Sequence, residues 1–78
     1  MNADTTQPMG FYVSAIDGPK YWLLAGPYQT HAEALADVTR ATHIALDAPG
    51  GEALAFARFG TCRAPSDKPG RLNAAGLM

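Results

Sequence analysis

The alternation of apolar and polar positions divides the chain into two strand-like segments, one helical segment and a third strand-like segment. Residues 11–16 and 21–25 are rich in aromatic and branched apolar side chains, which favour strands. The pair Asp17-Gly18 between them is typical of tight hairpin turns. A third strand is predicted over 54–59, just before Gly60. The pattern therefore predicts a hairpin, then a helix, then a returning strand.

One helix is predicted over 30–47. Thr30 and Glu33 have the spacing of a capping box, in which each side chain bonds the other residue's backbone amide. Pro49-Gly50-Gly51 ends the helix. The side expected to pack on the sheet contains Leu35, Val38, Thr42, Ala45 and Leu46.

These elements predict an α+β domain with a three-stranded antiparallel sheet, one helix on one face and the element order ββαβ. The helix reverses the chain direction, so a sheet order of 2-1-3 with a right-handed crossover is the simplest arrangement. The domain is expected to span 10–64, between a flexible leader over 1–9 and an irregular basic tail over 65–78.

The two faces of the sheet differ in character. A turn at Asp17-Gly18 and a turn at Gly18-Pro19 give different registers but sort the side chains identically. The more apolar set is expected under the helix and contains Phe11, Val13, Ala15, Trp22 and Leu24. The other face, called the open face below, receives Tyr12, Ser14, Ile16, Tyr21 and Leu23.

Aromatic residues and arginine, which are enriched at protein interfaces, mark the open face as a candidate binding surface. Arg58 without a charged partner does not fit under the helix, so it is expected on the open face. Leu54 and Phe56 are four and two residues before it in the predicted strand and are therefore expected on the same face. The candidate partner-binding residues are Tyr12, Tyr21, Leu23, Phe56, Arg58 and Arg63. Dimerisation or the tail covering this face is an equally weighted alternative.

Composition restricts the class of protein. The 78 residues contain one cysteine, which fits a reducing compartment and no disulfide framework. There is neither an apolar run long enough to span a membrane nor a secretory pattern at the start, so we expect a cytoplasmic monomer or weak homodimer without membrane contact. Residues 1–57 carry a net −4 and residues 58–78 a net +3. The overall charge of −1 disfavours direct nucleic-acid binding.

Candidate catalytic or metal-binding residues are few. His31 and His43 are more than three helical turns apart and cannot share a metal ion. Cys62 has no base placed near it by the sequence, and the glycines form no phosphate-binding loop. We therefore expect no catalytic activity, no metal and no cofactor.

One short segment consists of Leu24-Ala25-Gly26-Pro27-Tyr28 followed by Thr30, Glu33, Ala34 and Leu35. It resembles the strand-turn-helix unit of SPOR domains, which bind denuded peptidoglycan glycans. The resemblance implies a glycan-binding module, although a SPOR domain has two such units and this chain has one. Single-stranded nucleic-acid binding, with bases stacked on Tyr12, Tyr21 and Phe56, is a further alternative.

A second resemblance covers more of the chain. Residues 11–15, 23–35 and 59–61 are similar to small proteins of proteobacterial prophages, a group that includes anti-CRISPR inhibitors of type I surveillance complexes. Within this group of targets, the type I-C complex is the candidate subtype. The resemblance implies a stoichiometric inhibitor that binds the complex, with the backbone subunit as the candidate contact, and blocks the loading of target DNA. The near-neutral charge favours steric blocking over DNA mimicry.

Overall fold

The computed structural model describes residues 8–78, so the predicted leader over 1–9 lies mostly outside the described residues. Its end is described, and there Met9 already belongs to a strand and pairs with Pro65. The folded part therefore begins slightly earlier than predicted.

The hairpin consists of β1 (Met9–Asp17) and β2 (Lys20–Tyr28). Asp17 pairs with Lys20, so Gly18-Pro19 forms the turn, which is the second of the two registers compatible with the sequence. Gly18 has a φ of 61°, a conformation that a glycine adopts without steric cost. The hairpin thus keeps the predicted sorting of side chains onto two faces.

The third strand, β3 (Arg58–Pro65), pairs antiparallel with β1, and the sheet has the order β2-β1-β3. The predicted α+β class and sheet order are confirmed. The predicted position of this strand over 54–59 is wrong for its first four residues. Gly51–Leu54 forms a 3-10 turn instead, because local backbone hydrogen bonds continue through it and Leu54 is buried as a single apolar anchor.

The predicted helix is divided into α1 (His31–Ala36) and α2 (Val38–Asp47) by a break at Asp37. The capping box at Thr30 and Glu33 is confirmed. The break changes which residues of α1 face the core: Ala34 is buried, whereas Leu35 is 58% exposed and does not pack inward as predicted. Among residues 8–78, none of the helices is long and apolar enough to cross a membrane.

The core lies between the sheet and α2. Its buried residues are small for the most part, which lets the helix approach the strands closely. They are Val13, Ala15, Leu24, Ala25, Ala41, Ala45, Leu54 and Leu72.

The C-terminal segment is ordered, in contrast to the predicted irregular tail. β3 extends to Pro65, and a short helix, α3 (Arg71–Ala74), follows. Leu72 of α3 is only 5% exposed and belongs to the core. Between these elements, Ser66 donates a backbone hydrogen bond to Pro8, and Gly70 donates one to Gly26. Residues 66–70 therefore form a strap that runs from β3 across the end of β1 to β2.

Candidate functional site

Three side chains form a row across the open face of the sheet at the hairpin end. Ile16 of β1 pairs with Tyr21 of β2 on one side and with Arg58 of β3 on the other. Directly paired residues of antiparallel strands point to the same face. Tyr21 is 69% exposed and Ile16 is 49% exposed, and Arg58 is exposed as well. We call these three residues the exposed row.

The next row along the strands is smaller and flatter. Ser14 pairs with Leu23 and with Gly60; Ser14 is buried and Leu23 is half-buried. A Cβ added at Gly60 would meet no atom within 4 Å. The open face therefore has unoccupied space beside the exposed row, and Leu23 forms its partly accessible floor.

Tyr12 lies further along the same face but is not accessible. The strap crosses here, and Tyr12 is 0% exposed. The Tyr12 hydroxyl donates to the carbonyl oxygen of Lys68 at 2.6 Å and lies 3.1 Å from that of Pro65. Burial is the main cause that raises the pKa of Tyr12, so its hydroxyl keeps the proton that it donates. Tyr12 is thus not the partner-contacting residue that the sequence predicted, and the alternative that the tail covers this face holds for this end of it.

Two other predicted partner-binding residues lie elsewhere. Phe56 is 90% exposed but belongs to the turn before β3, not to a strand on the open face. Arg63 pairs with Phe11 and therefore lies on the helix side of the sheet, because positions 58 and 63 of one strand have opposite parity. Partner binding by these two residues stays a prediction, separate from the exposed row.

His31 has polar and aromatic neighbours at the other end of the helix side. Its Nε2 lies 2.9 Å from the hydroxyl of Thr61, and its ring centroid lies 5.8 Å from that of Phe11. These contacts fasten the start of α1 to β1 and β3. Within residues 8–78, no group of three histidine, cysteine, aspartate or glutamate residues is arranged to hold a metal ion.

Tyr28 and Asp37 form a short side-chain hydrogen bond on the helix side. The Tyr28 hydroxyl donates to Oδ2 of Asp37 at 2.7 Å. Burial, followed by the hydrogen bond to the Asp37 carboxylate, raises the pKa of Tyr28 to about 12. Arg40 lies 3.5 Å from the other oxygen of Asp37, as the helical spacing predicted. This trio holds the break between α1 and α2 against the end of β2, which indicates a structural role.

A cleft that the sequence did not predict opens between β2, the 3-10 turn and α3. Its volume is about 480 Å³, and its principal lining side chains are those of Trp22, Leu24, Leu54, Leu72, Leu77 and Arg71. The cleft escaped prediction because part of its lining, with Arg71, Leu72, Ala75 and Leu77, comes from the C-terminal segment, whose proline and glycine content suggested irregular structure. The sequence signal for packing of this segment consists of two leucines after Gly70, Leu72 and Leu77, and it is weak.

Comparison of the chain with protein-family models, with curated proteins and with solved structures gives no significant match.

Proposed function

We propose that this chain is a small inhibitor that acts by stoichiometric protein–protein binding through the open face of its sheet. The observation that carries the proposal is the exposed row, in which Tyr21 presents 69% of its surface next to Ile16 and Arg58. The centres of protein–protein interfaces are enriched in tyrosine and arginine, and in this row both lie beside an aliphatic residue.

The shape of this face suits a protein better than a small molecule. The side chains of the row are exposed at the hairpin end, and Gly60 and half-buried Leu23 leave open space beside them. The strap closes the far end over Tyr12. A partner loop or helix laid across the strands would contact the row and fit into the space over Gly60.

The target that we propose is a type I CRISPR surveillance complex, with type I-C as the first subtype to test. The reason for this choice is the predicted resemblance of residues 11–15, 23–35 and 59–61 to small prophage proteins. A net charge of −1 and the cation Arg58 in the row favour steric blocking of DNA loading over imitation of the DNA itself.

The test is capture of purified type I-C complex by the tagged chain, together with an assay of target DNA loading. Tyr21→Ala and Arg58→Glu are expected to weaken binding, by about thirtyfold or more if either residue is a central anchor. Gly60→Arg adds a side chain over the face where there is space for it, so it should block binding while the protein stays folded.

The matched control is Arg63→Glu, which makes the same charge change on the other side of β3. If the open face alone forms the interface, this variant keeps its binding and the predicted contact through Arg63 is wrong. If Arg63→Glu abolishes capture and Arg58→Glu does not, the interface lies on the helix side and the open face is excluded. If the chain captures no complex but binds peptidoglycan sacculi or a single-stranded oligonucleotide, the inhibitor proposal is overturned in favour of that ligand.

A further inference from the structure

The cleft between β2, the 3-10 turn and α3 has features of a ligand site that is separate from the open face. Trp22 and Leu24 form one wall from the helix side of β2, whereas neighbouring Tyr21 points to the open face. Leu72 and Leu77 add apolar lining from the C-terminal segment. A volume of about 480 Å³ lies within the range of small-molecule sites, which are mostly apolar with a few polar groups.

Arg71 is the one charged residue among those that line the cleft. Within residues 8–78, the ion pair that the structure contains joins Arg40 to Asp37, so the Arg71 guanidinium has no carboxylate partner there. Asp47 and Glu52 are close in sequence to lining residues, but both are exposed and neither lines the cleft. The cleft therefore combines an apolar wall with one uncompensated positive charge.

We propose that this cleft binds a medium-chain alkyl carboxylate, that is, a free fatty acid. The alkyl chain would lie between Trp22, Leu54 and Leu72, where it is removed from water, and the carboxylate would pair with Arg71. A guanidinium is suited to this role because its parallel N–H groups match the two oxygens of a carboxylate. A neutral alcohol lacks the charge for Arg71, and an alkyl ammonium ion is repelled by it.

The protein carries its own probe for the test. Trp22 is the one tryptophan in the sequence, and it lines the cleft, so its fluorescence should shift as an alkyl chain replaces water beside it. The probes are hexanoate, octanoate and decanoate, with 1-decanol and decyltrimethylammonium as matched neutral and cationic ligands. All are titrated against the full chain below their micelle concentrations, and calorimetry detects any binding that leaves the fluorescence unchanged.

We expect decanoate to bind and the dissociation constant to fall by about threefold to fourfold for each added methylene, which is the effect of burying that group. Arg71→Gln should weaken decanoate binding by about twofold to fivefold, as expected for an exposed ion pair, and leave 1-decanol binding unchanged. Lys68→Gln removes a charge from the nearby strap but not from the cleft lining, so it should bind decanoate like the original chain.

Several outcomes would overturn this inference. Absence of binding by both methods would show that the cleft takes no alkyl ligand. Unchanged decanoate affinity in Arg71→Gln, or tighter binding of the ammonium ion than of decanoate, would exclude pairing of a carboxylate with Arg71. Tighter binding of a leucine-ended peptide than of decanoate, lost in Arg71→Gln, would assign the cleft to a protein C-terminus instead. None of these results depends on the open face.

Discussion

The Tyr12 hydroxyl lies 2.6 Å from the carbonyl oxygen of Lys68, and this hydrogen bond joins the central strand to the strap 56 residues later. Tyr12 is on the face of β1 opposite to the helices, yet it is fully buried because the strap passes over it. This contact limits the accessible part of the open face to the hairpin end, where the exposed row lies.

Removal of this hydroxyl should loosen the strap. In Tyr12→Phe the carbonyl oxygens of Lys68 and Pro65 lose a donor, which is expected to lower the free energy of unfolding by about 1–2 kcal/mol. For a domain of this size, the loss corresponds to a fall in melting temperature of roughly 5–10 °C. Thermal unfolding measures the change, and hydrogen exchange of the Ser66 and Gly70 amides localises it. Tyr21→Phe, at a 69% exposed residue, is the control and should have little effect. Equal stability of the two variants would contradict a structural role for the bond.

Gly70 is where the strap lies closest to β2. A Cβ at this position would lie 2.6 Å from the Cα and N atoms of Ala25 and from the carbonyl oxygen of Leu24, all of them backbone atoms. We expect Gly70→Ala to destabilise the protein by about 1–3 kcal/mol and to expose the strap to proteases, because backbone atoms cannot move aside cheaply.

The matched substitution is Gly60→Ala, where the added Cβ meets nothing within 4 Å. Its effect on urea unfolding is expected to stay within about 0.5 kcal/mol. A Gly70→Ala variant as stable and as protease-resistant as Gly60→Ala would mean that the strap does not lie against Ala25 in solution.

The hydrogen bond from Tyr28 to Asp37 predicts a dependence of stability on alkaline pH. Burial and the Asp37 carboxylate raise the pKa of Tyr28 from its ordinary value of 10.0 to about 12 in the folded protein. The folded state therefore favours the protonated phenol. Its contribution is fully present below pH 10 and is lost as the pH rises through about 12.

The measurement is urea unfolding of the original chain and of Tyr28→Phe across this pH window. Near neutral pH the variant should be less stable by about 1–2 kcal/mol, since it lacks a hydrogen bond to a charged acceptor. That difference should shrink between pH 10 and 12. Every other residue is the same in both proteins, so a difference in stability that stays constant across this window would show that folding does not favour the protonated form of Tyr28.

Elements with local signals could be predicted from the sequence. The capping box at Thr30 and Glu33 satisfies backbone amides within one turn, and Gly18 permits the backbone of a tight hairpin whichever register is taken. Alternation along β1 and β2 then sorts the side chains onto two faces, which correctly predicts Ile16 and Tyr21 on the open face. Arg58 is correctly predicted there as well, because an unpaired arginine does not fit under the helix. The sheet order follows from these elements and from chain direction.

The position of β3 and the path of the C-terminal segment depend on tertiary contacts instead. Residues 60–64 of β3 contain small and polar side chains with little apolar alternation, so their pairing with β1 depends on the free edge of that strand rather than on a local pattern. Leu72 is an isolated apolar residue among proline, glycine and alanine, and it becomes core because the strap carries it to Leu24 and Ala45. The burial of Tyr12 and the formation of the cleft have the same cause. Both require contacts between residues that are distant in sequence. No short segment of the chain contains a pattern that predicts those contacts.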